Sequence, residues 1–263
     1  MNKIIKKVKA VFGIIAVYKS WPLVILASIG LMKEGRRRIC RLRNGLSFYV
    51  ENIGDIHVLK EVFSYNHYGR FLSRIRDNSV VIDIGAHIGV FSILAAQQGK
   101  NVKVFSYEPW PQNFMMLREN IALNNLQGKV FPMQMAVGEN EAPRDFYFFT
   151  ERVGSSLVLI PGQKATQKVT VQCTTLNNIF KTKNIERCNF MKIDCEGAEH
   201  EILYNTSDDC FVRIESITLE THDQIVGNSM ELMDFLKKHN FSVEFAKPPA
   251  NLLFAENLNS RSF

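Results

Sequence analysis

The chain reads Val80-Val81-Ile82-Asp83-Ile84-Gly85-Ala86-His87-Ile88-Gly89 near the end of its first third. The apolar run predicts a buried strand, and the glycine-bearing turn after it opens a helix at about residue 89. Glycine has no Cβ, so such a turn lets backbone amides and a helix N-terminus approach a ligand closely. Nineteen residues past Gly89, Glu108 follows the next apolar strand, Val102–Tyr107. This order of elements predicts a pocket for a nucleoside-containing cofactor.

The spacing of the glycines indicates which cofactor. A dinucleotide fingerprint needs G-x-G-x-x-G, in which the second glycine lets the pyrophosphate touch the backbone. His87 occupies that position here, which disfavours a nicotinamide oxidoreductase. The pattern Asp83-x-Gly85-x-x-x-Gly89 instead resembles the first motif of class I S-adenosylmethionine-dependent methyltransferases.

That resemblance implies roles for the residues of the turn. Asp83 would orient the turn and the amino-acid end of the cofactor, Gly85 would allow close approach, and Gly89 would start the helix. For His87, a structural hydrogen bond is a better interpretation than catalysis. Glu108 would accept hydrogen bonds from both ribose hydroxyls, because a carboxylate can do so bidentately. An ordinary α/β turn with a surface glutamate is the alternative.

The rest of the chain predicts an α/β fold. From residue 80 onward, apolar strands alternate with helical segments, which is typical of a mostly parallel sheet with helices on both faces. We expect a Rossmann-like, seven-stranded class I methyltransferase sheet that ends in an antiparallel edge hairpin, Phe241–Phe245 with Leu252–Ala255. Residues 145–171 form a β-rich excursion. Three regions are predicted: a basic and apolar helical segment (1–43), a cap region (44–79) and the cofactor-binding domain (80–263).

Within the cap region, apolar residues predict strands at Leu46–Glu51 and His57–Val62, followed by a helix at Tyr65–Arg74.

Composition limits the partners. The 263 residues are 46% hydrophobic and 22% charged, as in an ordinary globular protein. The formal net charge of +6 comes from one end, since residues 1–43 hold 11 Lys and Arg and one acidic residue. The remaining residues carry more acids than bases, so a nucleic-acid-binding surface is not expected.

The N-terminal segment combines apolar stripes with cations. Two apolar runs, each about half the ~20 residues that cross a bilayer, flank Lys19. One interpretation is an amphipathic anchor on an anionic membrane surface, and the other is a helical extension packed on the catalytic domain or on a partner subunit. Five cysteines without a C-x-x-C pair favour a reducing compartment. We therefore expect a cytoplasmic protein that is either free or peripheral on the inner membrane face.

A second dense cluster is the run Met191-Lys192-Ile193-Asp194-Cys195-Glu196-Gly197-Ala198-Glu199. An apolar strand that carries and ends in charged residues is unusual for the centre of a parallel sheet. Lys192 and Asp194 are two residues apart, so both point to the same face and can pair or converge on a ligand. A structural ion pair without a chemical role is the alternative.

Taken with the first motif, this cluster resembles the FkbM family of methyltransferases over roughly residues 45–225. The resemblance rests on these ordered blocks: Asp83-x-Gly85-Ala86-His87-x-Gly89, Glu108-Pro109 with Asn113, Leu117 and Asn120, Met135-Ala136-Val137-Gly138, Ser155-Ser156-Leu157, Thr174-Thr175-Leu176, Lys192–Glu199, and Glu220-Thr221-His222. One departure is Asn177, where the family commonly has Asp.

The family resemblance implies O-methylation of a hydroxyl on a sugar or a secondary metabolite, with S-adenosylmethionine as the donor. Glu108 would lie at the ribose, and Ala136 and Val137 beside the adenine. Asn113 is a weaker cofactor-binding candidate, while Ala86 belongs to the same turn as Gly85. The basic and apolar leader, together with the frequent placement of the resembled family in glycan assembly, suggests a lipid-linked or surface-polysaccharide sugar as the acceptor.

A hydroxyl attacks well only if its proton leaves during attack, so a base or a metal is needed on the acceptor side. Asp194 is the first candidate base, His222 the second and Glu196 the third, with Lys192 as an orienting partner. Asp194, Glu196, Glu220 and His222 could also hold a divalent metal, although no spacing motif requires one. Two alternatives stay open: methylation of a protein or lipid nucleophile, and a non-catalytic, membrane-attached cofactor-binding module.

Overall fold

The computed structural model describes residues 2–149, 155–157, 165–223, 228–246 and 251–259. The first eighty residues form a helical and β-hairpin region: α1 (Asn2–Val17), α2 (Trp21–Ser28), β1 (Arg38–Arg41), β2 (Ser47–Val50), α3 (Ile53–Phe63) and α4 (Gly69–Leu72). The alternating part begins with β3 (Val80–Ile84), α5 (Val90–Ala96), β4 (Lys103–Tyr107), α6 (Pro111–Leu123), β5 (Val130–Met133) and β6 (Ala136–Val137).

The second half continues with β7 (Arg144–Phe149), β8 (Ser155–Ser156), β9 (Ala165–Val171), β10 (Cys173–Thr174), α7 (Leu176–Thr182), β11 (Phe190–Ile193), α8 (Glu199–Tyr204), α9 (Asp208–Arg213), β12 (Ser216–Glu220), α10 (Ser229–Lys238), β13 (Phe241–Phe245) and β14 (Leu252–Asn257). None of the helices in the described part of the chain is long and apolar enough to cross a membrane.

The central sheet confirms the predicted fold class. Its seven strands run in the order β13, β14, β12, β11, β3, β4, β5. Every neighbouring pair from β12 to β5 is parallel, whereas β14 is antiparallel to both β12 and β13. The C-terminal hairpin thus supplies the edge strand β13 and the one reversed strand beside it. Its Pro248-Pro249 turn lies outside the described residues.

The order of the strands in the central sheet predicts where a ligand binds. Strand order reverses direction between β3 and β11, and ligands of open parallel sheets bind beyond the carboxyl ends of the strands at such a point. All four residues of β11 are buried, including Lys192. A buried lysine in a central strand requires charged partners, because its desolvation would otherwise cost several kcal/mol.

The cap region differs from its prediction. The segment predicted as a strand at His57–Val62 belongs to helix α3, so that prediction was wrong. A capping box starts the helix: Asn52 Oδ1 accepts from the Asp55 N–H at 2.8 Å, and Asp55 Oδ2 accepts from the Asn52 N–H at 3.1 Å. Ile56, Leu59 and Val62 are buried at helical spacing. The helix predicted for Tyr65–Arg74 is reduced to the single turn α4.

Helices α1 and α2 pack on this cap. Tyr18 is fully buried, and its hydroxyl donates to the Leu59 carbonyl at 2.9 Å. Ile14, Val24 and Ala27 share one apolar core with α3. One face of the N-terminal segment is therefore a packed helical extension, as the second interpretation expected.

Within the excursion predicted for residues 145–171, the described residues form a small antiparallel sheet in the order β8, β7, β9. Residues 130–137 hold two strands: β5 pairs with β4 in the central sheet, and β6 pairs with β10 in a separate two-stranded sheet. The excursion contributes the buried residues Phe146 and Leu157. Both line the cavity at the carboxyl edge of the central sheet.

Candidate active site

A cavity of about 810 Å³ opens at the carboxyl ends of β3, β4, β11 and β12. Helix α3 forms one of its walls, and the small sheet of β7 forms another. The predicted site residues that line it are Gly85, Ala86, His87, Glu108, Asn113, Ala136, Val137, Lys192, Asp194 and Glu196. The other three, Asp83, Gly89 and His222, are not among the described lining residues, although Asp83 and His222 contact residues that are.

The turn after β3 explains its glycines. Gly85 has φ +76°, and a Cβ there would lie 1.7 Å from the Asp194 carbonyl oxygen. Glycine is therefore required at this position because two strand ends meet, which is a different reason from the room for a ligand that the sequence suggested. Gly89 has φ +87° and caps α5, where a Cβ would lie 2.5 Å from Leu117 Cδ1.

Glu108 is fixed by the backbone. Its Oε2 accepts from the His87 N–H at 2.8 Å, and its Oε1 accepts from the Trp110 N–H at 2.9 Å. The side chain is 4% exposed, and burial raises the pKa of its carboxyl despite the opposing effects of these two bonds and of His87. Each oxygen keeps a lone pair for a further donor. A carboxylate held in this way fits the two vicinal hydroxyls of a ribose.

Lys192 lies between Asp83 and Asp194 at the carboxyl ends of β3 and β11, and we call the surface formed there by Lys192, Asp194, Glu196 and Glu220 the floor of the cavity. Its Nζ lies 3.1 Å from Asp194 Oδ2 and 3.4 Å from Asp83 Oδ1, and it donates to the Gly85 carbonyl at 3.1 Å. Asp83 in turn accepts from the Ser92 hydroxyl. Burial raises the pKa of Asp194, but the charges of Lys192 and His222 outweigh it and hold that pKa below its usual range. Asp194 is thus an ionised carboxylate at the cavity surface.

His222 lies between two carboxylates. Its Nδ1 is 2.9 Å from Glu199 Oε1, and its Nε2 is 3.2 Å from Glu196 Oε2. Burial lowers the pKa of the imidazole, but Glu199 and then Glu196 more than offset this and raise it to about 10. His222 is therefore protonated at neutral pH in this arrangement. An imidazolium cannot accept the proton of an acceptor hydroxyl, which weakens its case as a general base.

Two further carboxyl groups face the same floor. Burial raises the pKa of Glu196 to about 7 and that of Glu220 to about 8, and the negative charge of Asp194 adds to both effects. Neighbouring carboxylates resist simultaneous ionisation in a medium that screens them poorly. The floor of the cavity thus carries more acidic groups than its basic side chains balance.

Sequence reasoning missed the residues that α3 and α4 bring to the cavity. His57 and Glu61 line it from α3, with His57 Nδ1 3.2 Å from Glu61 Oε1. Tyr68 lines it from the start of α4 and is 5% exposed. The Asn52–Asp55 capping box was the signal that would have placed His57 and Glu61 on a helix.

Aromatic side chains form another part of the cavity lining. Phe146 and Phe148 line the cavity, and Phe148 stacks on Trp110 with ring centroids 5.1 Å apart and planes 21° apart. Ala136 and Val137 also line the cavity and are buried. Small residues and aromatic rings provide an apolar surface, which suits a purine better than a charged group does.

A strand-turn-helix with an acid at the next strand tip, on a seven-stranded sheet with one reversed strand, defines a class I S-adenosylmethionine-dependent methyltransferase. Family comparison makes this specific. The model of the methyltransferase FkbM domain matches residues 83–243, more than half of the chain. The chain belongs to the FkbM methyltransferase family.

Three relatives show the spread of the similarity. The 31-O-demethyl-FK506 methyltransferase FkbM of Streptomyces tacrolimicus is 26% identical over 240 residues, which cover 80% of this chain and 90% of the relative. Methyltransferase sdnD of Sordaria araneosa is 24% identical, covering 67% and 78%. The hexuronic acid methyltransferase AglP of Haloferax volcanii is 21% identical, covering 76% and 79%. Like its family, this chain is a methyltransferase that uses S-adenosylmethionine.

Proposed function

We propose that the protein transfers a methyl group to a hydroxyl of a sugar, a glycan or a secondary metabolite. The observation that carries this proposal is the position of Asp194. Its side chain is ionised and held by Lys192, and its backbone carbonyl touches the cofactor turn at Gly85. A proton acceptor therefore lies beside the place where the methyl donor is expected, as attack by a hydroxyl requires.

Three groups of residues would hold the cofactor. Glu108 would bind the ribose, the Gly85–Gly89 turn would lie against the remainder, and Ala136 and Val137 would face the adenine. When bound, S-adenosylmethionine supplies the methyl carbon as part of an electrophilic sulfonium. Asn113 lines the cavity on the same side and is a weaker candidate.

The remaining residues act on the acceptor. Asp194 takes the hydroxyl proton as the oxygen attacks, and Lys192 keeps Asp194 ionised and fixes its orientation. As long as no metal ion binds it, His222 is a positively charged positioning residue for Glu196, in place of the base role considered from the sequence. Much of the rate comes from alignment, because a fixed acceptor and donor convert an encounter into an intramolecular step.

The class of acceptor is supported by the polar wall and by the relatives. His57 and Glu61 offer hydrogen-bonding groups on the side of the cavity formed by α3, which suits a polyhydroxylated molecule. One relative is named for a hexuronic acid and another for 31-O-demethyl-FK506. The test is mass spectrometry of cell-envelope glycans and small metabolites with and without the gene. Loss of one O-methylated sugar supports the proposal, and methyl loss confined to proteins or lipids contradicts it.

A second part of the proposal is peripheral contact with an anionic membrane. Phe12, Ile29 and Leu31 are 67%, 60% and 66% exposed on the outer face of the N-terminal segment. Lys9, Lys19, Lys33 and Arg36 are exposed on the same segment. Helix α2 packs on α3, and Lys60 of α3 donates to Ser28 at 3.0 Å, so the N-terminal segment lies against the helix that lines the cavity. Apolar and basic groups together favour an interface with anionic lipid.

A further inference from the structure

The geometry points to a divalent-cation site formed by Asp194, Glu220 and His222 on the floor of the cavity. One ligand atom from each residue lies within 4.8 Å of those from the other two. They come from the ends of β11 and β12, which are neighbours in the sheet. The chain spacing carries no metal motif, because the ligands are brought together by strand order.

The first support is the orientation of His222. A histidine that binds a metal almost always gives its other ring nitrogen to a carboxylate or carbonyl, which fixes the ring. His222 Nδ1 is 2.9 Å from Glu199 Oε1, and Glu199 is itself buried and accepts from the Gly197 N–H at 3.0 Å. This arrangement leaves Nε2 directed towards the acidic floor, where Glu196 Oε2 lies at 3.2 Å.

Tyr68 also faces this floor. Its side chain is 5% exposed and lines the same cavity, and the charges of Lys192, Asp194 and Glu220 act on its hydroxyl. A tyrosine hydroxyl in this position can donate to a water or to an acceptor oxygen held by a cation.

The balance of charge also favours a cation. Five carboxyl groups surround two basic side chains, Lys192 and His222; they are Asp83, Asp194, Glu196, Glu199 and Glu220. A divalent ion offsets the surplus and takes the place of the proton on His222, since metal ligands bind deprotonated. A donor set of one imidazole and two carboxylates suits Mn²⁺ or Mg²⁺ better than thiolate-seeking metals. The competing account is that protons alone neutralise these acids.

The chemical role of the cation rests on the proposed function. A cation bound to the acceptor oxygen would lower the pKa of that hydroxyl. The proton would pass to Asp194 or to water while the oxygen bonds to the methyl carbon, the carbon–sulfur bond breaks and S-adenosylhomocysteine leaves. The binding of the ion itself does not depend on which acceptor the enzyme uses. Binding and methyl transfer can therefore be measured separately.

The test is titration of the full chain, stripped with chelator, with Mn²⁺ as the probe. Electron paramagnetic resonance follows the free ion, and calorimetry gives the stoichiometry. We expect one bound ion, at least about tenfold weaker binding in Glu220→Gln, and a loss of about 10- to 100-fold in Glu199→Gln, as for other outer-shell partners of a ligating histidine. Glu61→Gln is the matched control, because it removes a cavity carboxylate outside the ligand set and should change the affinity less than about threefold.

Binding of S-adenosylhomocysteine, measured without metal, verifies that each variant is folded and separates this inference from the proposed function. Absence of Mn²⁺ binding by a protein that still binds S-adenosylhomocysteine overturns the site and supports neutralisation by protons. Equal Mn²⁺ binding in wild type and Glu220→Gln shows an adventitious ion only, and it too overturns the site. Methyl transfer to a sugar by a protein that does not bind Mn²⁺ would support the proposed function and overturn only the cation site.

Discussion

Replacing Glu108 with glutamine tests the ribose contact with little change of shape. Each carboxylate oxygen accepts one backbone N–H, from His87 at 2.8 Å and from Trp110 at 2.9 Å. The amide NH₂ of glutamine must face one of these donors, which leaves a buried N–H unpaired at a cost of about 1–3 kcal/mol in the free energy of unfolding. The charge-assisted bonds to the ribose are also lost, at about 1.5–3 kcal/mol of binding free energy.

By the relation of about 1.4 kcal/mol per tenfold, the dissociation constant for S-adenosylhomocysteine should rise about 10- to 100-fold. Calorimetry measures the affinity, and urea denaturation measures the stability of the same samples. Glu119→Gln is the control, since it makes the same chemical change at an exposed carboxylate that pairs with Arg37 outside this cavity. An affinity in Glu108→Gln within threefold of wild type would refute the assignment of Glu108 to the ribose.

Three other predictions use different readouts. Asp194→Asn should lower turnover by about 10²- to 10⁴-fold, as loss of a general base does. Its affinity for S-adenosylhomocysteine in calorimetry should stay within about threefold of wild type. Equal loss of turnover and affinity would contradict the assignment of Asp194 to the acceptor and not to the cofactor. Lys192→Met leaves Asp83 and Asp194 without their shared cation and should lower the free energy of unfolding by about 3–5 kcal/mol in urea, so an unchanged midpoint would count against the buried ion pair. Changing Phe12, Ile29 and Leu31 together to serine should weaken binding to phosphatidylglycerol vesicles about 100-fold in co-sedimentation, because each inserted side chain contributes roughly 1 kcal/mol. Vesicle binding that responds neither to this change nor to salt would refute membrane contact.

Periodicity and turn chemistry predicted the central sheet well. The run from Val80 to Gly89 is a strand and a turn because apolar residues and glycines occur at positions that leave few alternatives. The spacing of Lys192 and Asp194 placed both on one face, and their charges meet at 3.1 Å. These features depend on residues close together in the sequence, so the sequence alone predicts them.

Other features depend on contacts between distant segments. Helix α3 was predicted as a strand because its short apolar run fits both periods, and the Asn52 capping box decides between them. The protonation of His222 depends on Glu199 and Glu196, which approach it only in the folded chain. Gly85 is required by the carbonyl of Asp194, more than one hundred residues later. Such constraints have no local signature.

The structure shows a packed extension on one face of the N-terminal segment, and membrane contact of the other face stays a proposal. Tyr18 and Val24 are buried against the cap, as a packed extension requires, whereas Phe12 and Leu31 stay exposed with nearby cations. A helix with two apolar faces can pack with one and leave the other available. Hydrophobic periodicity alone did not distinguish these faces.

The most direct test of the account is transfer of an isotope-labelled methyl group from S-adenosylmethionine by the full-length protein. The acceptor is a cell-envelope and metabolite extract from cells that lack the gene, and mass spectrometry locates the label. The account predicts label in an ether on a sugar or metabolite hydroxyl, and none when Asp194→Asn replaces wild type. Label in a protein amide or a lipid headgroup, or no transfer by a protein that binds S-adenosylhomocysteine, would contradict it.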